Sequence, residues 1–212
     1  MIKYDAIILA AGNSTRSELN YNKVLFEING GQKIIEVSTK NFLLDNDCQK
    51  VFLVCKEQEK KIFEKIFQNV EKMVYVTGGE TRQESVKNAL KFVNEEYVFI
   101  HDGARPYFTP ILLNRLKDKL KTYDSIIPVW SLKDTIKLVK NGIVEKTLKR
   151  DNLKLVQTPQ AFKTEVIKKA HELATRNDYT DDSSMVEDIL HGEVAVIDGE
   201  YSNIKFTFKE DF

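Results

Sequence analysis

The stretch DAIILAAGNSTR, residues 5–16, carries the strongest structural signal in the sequence. Residues 5–10 form a short apolar run that is typical of a buried parallel strand. A loop of small residues follows at once, at the strand end where open α/β sheets bind ligands. Its backbone N–H groups can approach phosphate oxygens, and Arg16 with the later Lys23 can neutralise a triphosphate. The stretch predicts a nucleotide site, although taken alone it also fits a plain strand-to-helix turn with a solvated arginine.

The loop differs from two common phosphate-binding patterns. It is neither a GxxxxGK[ST] loop nor the GxGxxG fingerprint of a dinucleotide site. A dehydrogenase is therefore disfavoured.

The first two thirds of the chain alternate short apolar runs with amphipathic segments, as expected for parallel strands joined by crossover helices. Further strands are predicted at residues 50–55, 73–77, 97–101 and 124–129. Apolar residues at helical spacing predict helices within 57–68 and 111–120. We expect an α/β fold with a mostly parallel sheet and helices on both of its faces.

Residues 133–155 follow a different pattern. Two polar-rich extended runs, 135–139 and 144–148, flank Asn141 and Gly142, a pair that favours a tight hairpin turn because both tolerate positive φ. This predicts a protruding β-arm. Because a two-stranded arm is marginally stable alone, we expect it to pack on a second copy of the chain in a homodimer.

The last third is predicted to contain two helices and two short strands. The helices lie near residues 163–175 and 182–190, and the strands at 194–197 and 204–208. No internal repeat or linker divides the chain, so residues 1–212 are expected to form a single domain.

Charge and composition narrow the range of partners. Lysine plus arginine and aspartate plus glutamate both number 32, so no net field attracts nucleic acid or an anionic membrane. The apolar run at 6–11 is far shorter than the roughly 20 residues of a membrane span, and no signal-peptide pattern is present. Cys48 and Cys55 fit neither a disulfide scaffold nor a metal-ligand spacing. We expect a cytoplasmic protein that binds neither nucleic acid nor membrane.

Two further segments follow predicted strands. In GGETR, residues 78–82, a glycine pair precedes a helix N-terminus that favours anions, with Ser85 one turn in, although a plain capped helix explains it equally well. In HDGARP, residues 101–106, Asp102 can hold a hydroxyl or lie near Mg²⁺, and Arg105 can bind a phosphate. His101 is disfavoured as a general base, because a histidine at a buried strand end is commonly a hydrogen-bonded core residue.

These segments belong to an ordered set that resembles the 2-C-methyl-D-erythritol 4-phosphate cytidylyltransferases, within the nucleotidyltransferase superfamily. The matching residues span nearly the whole chain: AAGNSTR at 10–16, Asn22-Lys23, GGETRQESV at 78–86, HDGARP at 101–106, DTIK at 134–137, Arg150, QTPQAF at 157–162, TDDSSMVE at 180–187 and NIKFT at 203–207. Any one could arise by chance, but their shared order argues for common descent.

The resemblance implies a Rossmann-like sheet and transfer of CMP from CTP to methylerythritol phosphate, with release of pyrophosphate. The implied catalytic residues, which would face the triphosphate, are Arg16, Lys23 and Lys205. The implied nucleotide-binding residues are Ala10, Ala11, Gly12, Asn13, Gly79, Glu80, Ser85 and Asp102. The family holds Mg²⁺ largely through the nucleotide phosphates, with Asp102 near the reacting centre.

The acceptor pocket implied by the resemblance is shared between subunits. Family members dimerise through the β-arm, which would deliver Thr135 and Arg150 into the neighbouring site. Arg105 and Thr158 would complete the pocket from the first subunit.

The sequence departs from the family pattern at three positions. A glycine is usual where Ser14 stands, a proline is often found where Asn22 stands, and a methionine where Ser17 stands. Because the Ser14 side chain crowds the loop, nucleotide affinity is the property it would affect.

Two alternatives stay open at this stage. A ribitol-5-phosphate cytidylyltransferase would run the same reaction on another polyol phosphate, and residues 199–203 fit that group, whereas DTIK and TDDSSMVE favour the methylerythritol enzymes. A non-catalytic nucleotide-binding module is disfavoured, because it would not need Arg16, Lys23, Asp102 and Lys205 together.

Overall fold

The computed structural model describes residues 2–12, 20–28, 30–207 and 211. The strands within them are β1 Tyr4–Leu9, β2 Glu27–Ile28, β3 Gln32–Lys33, β4 Cys48–Cys55, β5 Met73–Thr77, β6 Tyr97–Asp102, β7 Ser125–Ser131, β8 Ile136–Lys140, β9 Ile143–Leu148, β10 Lys154–Val156, β11 Gln160–Lys163 and β12 Ala195–Asp198. The α-helices are α1 Ile34–Leu44, α2 Lys60–Ile66, α3 Arg82–Leu90, α4 Pro110–Lys119, α5 Thr164–Leu173 and α6 Ser183–Leu190.

The main sheet has the order β10-β7-β11-β6-β1-β4-β5, and β12 also pairs with β7. Strands β5, β4, β1 and β6 run parallel, and β11 lies antiparallel between β6 and β7. Because parallel strands end together, the loops after β1, β5 and β6 meet at one edge of the sheet. This edge is where the sequence places its nucleotide site.

Helices cover both faces of the sheet. Side chains alternate along β1, so that Tyr4, Ala6 and Ile8 pack with α1, α2 and α4, whereas Ile7 packs with α3, α5 and α6 on the opposite face. All four of these side chains are fully buried. The predicted α/β fold, with a mostly parallel sheet between two helical layers, is confirmed.

Two local predictions are wrong. Residues 204–207 form no strand, and Phe208 lies outside the described residues. The backbone of this segment is joined to the HDGARP segment by a hydrogen bond of 2.9 Å from Phe206 N to Ala104 O. Lys154 and Leu155, included in the predicted arm, instead belong to β10 and pair with β7. Lys154 and Leu155 are extended, but their ladder partner is the main sheet, which the local pattern does not reveal.

The predicted hairpin at Asn141-Gly142 is confirmed. Strands β8 and β9 form their own two-stranded sheet, and Asn141 and Gly142 have φ angles of +50° and +77°. Apolar arm side chains face solvent in the single chain: Val139 is 53% exposed and Ile143 74%. The part of the arm that is separate from the main sheet is therefore residues 136–148.

Among the described residues, no helix has the length and apolar character needed to cross a bilayer.

Candidate active site

A cavity of about 290 Å³ opens at the edge of the sheet where β1, β5 and β6 end. The sequence-predicted residues that line it are Ala10, Ala11, Gly12, Lys23, Gly79, Glu80, Ser85, Asp102 and Lys205. These residues come from five separate stretches of sequence. Arg16 and Asn13, also predicted here, lie outside the described residues, as do Ser14 and Ser17.

Close packing explains the glycine pair after β5. A Cβ atom on Gly78 would lie 2.7 Å from the Ala11 Cβ, and one on Gly79 would lie 2.4 Å from the Glu84 Cβ. The Gly79 N–H donates to Ser85 Oγ over 3.1 Å, which ties the loop to the first turns of α3. The β5 loop can therefore approach the β1 loop closely, and the two form adjacent walls of the cavity.

Asn22 fixes the start of the short 3-10 helix that carries Lys23. The buried Asn22 amide nitrogen donates to Ala10 O over 2.6 Å and to Glu59 Oε2 over 2.9 Å. Its side-chain oxygen accepts from Val24 N and caps the helix Lys23–Leu25. The residue that stands where the family often has proline thus attaches Lys23 to the end of β1.

Asp102 lies at the centre of the charged groups of the cavity. Its Oδ2 atom is 2.7 Å from Lys205 Nζ and 3.9 Å from Arg105 Nε, and its Oδ1 atom is 3.4 Å from Arg82 Nε. Burial by itself would raise the pKa of the Asp102 carboxyl, but the charges of Arg82 and Lys205 outweigh it and hold the pKa well below its usual range. Asp102 is a carboxylate at every pH of interest.

His101 and Thr158 form a buried hydrogen-bonded pair behind Asp102. The Asp102 N–H donates to Thr158 Oγ1 over 3.0 Å, and the Thr158 hydroxyl lies 2.9 Å from His101 Nδ1. His101 Nε2 lies 3.0 Å from the carbonyl of Arg105, which can only accept. Burial lowers the pKa of His101 to about 3, so the ring is neutral, with its proton on Nε2. Both ring nitrogens are engaged, which leaves His101 no role as a general base.

None of the four predicted acceptor residues lines the cavity, and Thr158 lies behind Asp102. The Arg105 guanidinium donates to the carbonyl of Asn203 over 2.9 Å and to that of Val156 over 3.4 Å. Thr135 and Arg150 are exposed at the base of the arm, where Arg150 donates to the carbonyl of Lys133. A single chain therefore brings together those predicted nucleotide residues that the structure describes, whereas the predicted acceptor residues do not line the same cavity.

Sequence reasoning missed Arg82 as a cavity residue. Arg82 lines the cavity and makes a second ion pair, of 2.8 Å, with the buried Asp182. Both residues occur in motifs that carried the family resemblance, GGETRQESV and TDDSSMVE, but neither was assigned a role. The signal was their presence in those motifs, and only the fold brings them together.

A polar, cation-lined cavity at the carboxyl edge of a mostly parallel sheet is typical of α/β proteins that bind nucleotides. The family model "2-C-methyl-D-erythritol 4-phosphate cytidylyltransferase" (IspD) matches residues 4–212. The chain belongs to this family.

Individual relatives agree with this assignment. The chain is 41% identical to the 2-C-methyl-D-erythritol 4-phosphate cytidylyltransferase of Geobacillus thermodenitrificans over 99% of this chain and 94% of the relative. It superposes on 4-diphosphocytidyl-2C-methyl-D-erythritol synthase from Anaerococcus prevotii with a TM-score of 0.87 and 31% identity, covering 99% of this chain and 92% of the other. It also superposes on the bifunctional IspDF of Campylobacter jejuni, with a TM-score of 0.85 and 31% identity. That superposition includes 99% of this chain and 53% of the longer Campylobacter protein.

Proposed function

We propose that this protein transfers CMP from CTP to 2-C-methyl-D-erythritol 4-phosphate and releases pyrophosphate. The observation that carries the proposal is the convergence of Lys23, Lys205 and Asp102 on one cavity beside the glycine-containing β1 and β5 loops. Membership in the cytidylyltransferase family indicates which substrates bind there.

The reaction requires two polyanions to meet. An oxygen of the acceptor phosphate attacks the α-phosphorus of CTP in line, the new P–O bond forms opposite the bond that breaks, and the bonding electrons leave with pyrophosphate. We assign Lys23 and Lys205, with Arg16, to the triphosphate, where their charges offset the repulsion. Preorganised donors of this kind are commonly worth about 3 kcal/mol each in the transition state.

No protein base is needed for this attack, because the phosphate oxygen of the acceptor is already ionised near neutral pH. The neutral, fully hydrogen-bonded His101 agrees with such a mechanism. Its role is to hold the Thr158 hydroxyl, which in turn binds the backbone N–H of Asp102.

A magnesium ion fits this site as a companion of the nucleotide. The described residues contain no group of three or more His, Cys, Asp or Glu side chains able to hold a metal, whereas Asp102 presents one ionised carboxylate in the cavity. Mg²⁺ is commonly bound by one or two carboxylates together with substrate phosphates. Asp102 would be its protein ligand, and the ion would supply neutralising charge to the phosphates.

We propose that the acceptor half of the site is completed in a homodimer. The apolar surface of the exposed β8–β9 hairpin would be covered by a second chain, and the same contact would carry Thr135 and Arg150 to the partner's cavity. Arg105 and Thr158 already lie beside Asp102 in the first chain.

The protein is proposed to act in a reducing compartment, the cytoplasm. Cys48 and Cys55 are free, buried and at opposite ends of β4. Eight residues of strand separate their Cα atoms by more than about 20 Å, too far for a disulfide between them. Burial raises the pKa of both thiols to about 12, so neither is a reactive thiolate.

The test is a pyrophosphate-release assay with CTP or UTP as donor and methylerythritol 4-phosphate or ribitol 5-phosphate as acceptor. The proposal expects release with CTP and methylerythritol phosphate that exceeds every other combination. Faster turnover with ribitol phosphate would reassign the acceptor. No release from any pair would favour a non-catalytic nucleotide-binding module.

A further inference from the structure

The TDDSSMVE segment has no part in the mechanism above, yet it contains a deeply buried charge. The side chain of Asp182 is 1% exposed and lies at the N-terminus of α6. An ionised carboxylate at such a position is costly unless a cation compensates it. The charge of Arg82 provides that compensation: although burial raises the pKa of Asp182, Arg82 outweighs it and the pKa is lowered.

The backbone of Asp182 is itself held in place by the neighbouring sheet. Gln160 of β11 accepts hydrogen bonds through Oε1 from the N–H groups of Asp182 and Ser183, each 3.2 Å long. On its other side, Asp182 Oδ1 lies 3.7 Å from Nε2 of the buried His171 on α5. The backbone of Asp182 is thus fixed by Gln160, and its carboxylate lies between His171 and Arg82.

Arg82 is divided between two carboxylates. One terminal nitrogen, NH2, lies 2.8 Å from Asp182 Oδ2, whereas Nε lies 3.4 Å from Asp102 Oδ1. The contact with Asp182 is the shorter one, and the contact with Asp102 uses only one nitrogen. The other oxygen of Asp102 lies 2.7 Å from Lys205 Nζ, with Arg105 Nε farther away at 3.9 Å.

We propose that Asp182 is a positioning residue for CMP transfer: it holds Arg82 back, so that Asp102 stays oriented toward Lys205 and the nucleotide cavity. This inference rests on the proposed function, because it assumes that Asp102 and Lys205 act on the nucleotide.

The charge balance gives the direction of the effect. Arg82, Arg105 and Lys205 face Asp102 and Asp182, so the cluster holds three cations and two carboxylates. Without the Asp182 charge, Arg82 is free to form a short two-nitrogen pair with Asp102, the geometry that guanidinium and carboxylate prefer. That pair would draw Asp102 away from Lys205, while the site as a whole becomes more positive. Turnover should fall, whereas CTP binding should not weaken.

The experiment compares kcat and the KM for CTP in the full-length wild type and in Asp182→Asn. Asparagine has nearly the same shape, and the backbone hydrogen bonds to Gln160 do not involve the replaced group. We expect kcat to fall at least tenfold with a KM for CTP that is unchanged or lower. The control is Asp188→Asn on the same helix, whose partners Arg176 and Tyr179 lie at the surface, and its kcat should match that of the wild type.

A second comparison separates positioning from general damage. Asp181→Asn disturbs the same turn, because Asp181 accepts from Gln160 and Ser183, whereas the charge of Asp181 acts on Arg82 only from beyond ion-pair distance. If Asp182 has only a structural role, both variants should show the same three changes: a lower thermal stability, a lower kcat and a higher KM for CTP. That parallel loss, or a kcat of Asp182→Asn within threefold of the wild type, would overturn the inference.

Arg82→Lys provides the remaining check if Asp182→Asn does not fold. A lysine keeps the charge but cannot bridge two carboxylates with separate nitrogens, so kcat should again fall at least tenfold without an increase in the KM for CTP. A kcat near that of the wild type would contradict the inference. An inactive wild type would instead reject the proposed function.

Discussion

The nucleotide cavity and the β8–β9 arm are built in opposite ways. The cavity residues are joined by short polar contacts, two of them local and one between distant segments: Asn22 to Ala10, Gly79 to Ser85, and Lys205 to Asp102. The arm has only its own ladder and exposes apolar side chains. One chain therefore contains the described part of the proposed nucleotide half in assembled form, whereas we propose that the acceptor half requires a partner. If this is correct, substitutions in the two regions should affect different kinetic constants.

The largest effect is expected in the cavity. Lys205→Ala removes a cation assigned to the triphosphate, and kcat should fall at least a hundredfold, because a donor that acts in the transition state is worth about 3 kcal/mol. The fold should remain intact, since Arg82 and Arg105 still neutralise Asp102. Turnover and thermal unfolding of this variant are compared with those of Lys121→Ala, which lies on the surface. Near-normal turnover would remove Lys205 from the mechanism, and the same test applies to Lys23→Ala.

The arm should show a different kinetic response. Arg150→Ala should raise the KM for the acceptor phosphate about tenfold, because the loss of one charge-assisted contact costs roughly 1.5 kcal/mol, and it should leave the KM for CTP unchanged. Steady-state kinetics with each substrate varied in turn provide the measurement, with Lys146→Ala on β9 as the control. An equal rise in both constants would mean that the two regions are not functionally separate.

Asn22 tests whether the assembled state of the cavity matters for turnover. Asn22→Ala removes the contacts to Ala10 and Glu59 and the cap of the 3-10 helix that begins at Lys23. Loss of a cap typically costs about 1 kcal/mol, so we expect roughly a fivefold lower kcat through a less constrained Lys23. Glu59→Gln, which keeps an acceptor for the Asn22 amide, should change kcat by less than twofold. If both variants match the wild type, Asn22 does not position Lys23.

The smallest effect concerns pH and stability. His101 has a pKa of about 3 in the folded chain against about 6.5 when unfolded, so the unfolded state alone takes up a proton between these values. Keeping His101 buried and neutral therefore lowers the free energy of unfolding progressively as the pH falls from about 6.5 toward 3. Above about pH 7.5 it has no such effect. Between pH 7 and pH 5.5 this one group should lower the free energy of unfolding by about 1 kcal/mol. Denaturant unfolding at the two pH values should show that this part of the loss is absent in His101→Gln; an equal loss in both proteins would contradict the assignment.

The parallel core of the fold could be predicted from the sequence because its strands are short, apolar and bounded by polar residues. Strands β1, β4, β5, β6 and β7 lie within two residues of the predicted bounds at every end. Helix α1 was missed although Ile34, Ile35 and Phe42 follow a helical period. Strand β11 has no such signal, because it is only four residues long and begins directly after a proline.

The site could be predicted in part. Motifs located the cavity residues of the β1, β5 and β6 loops because these loops follow strand ends, which meet at one edge of the sheet. Lys205 follows no strand and was assigned only through the family resemblance. The Arg82–Asp182 pair could not be found in this way, since 100 residues separate its members and buried ion pairs have no periodic pattern. Arg105 was correctly placed near Asp102, but its hydrogen bonds to two backbone carbonyls depend on residues 156 and 203, which only the fold brings there.

Mixing two impaired variants, with the acceptor phosphate well below its KM so that both turn over slowly, tests most directly whether the cavity and the arm of one active site come from different chains. Lys205→Ala chains and Arg150→Ala chains are unfolded together, refolded and assayed for pyrophosphate release. If the arm acts on the partner, half of the dimers are mixed and each has one intact site, so activity should recover to about a quarter of the wild-type value. Activity that stays at the mean of the two separate variants would contradict the account.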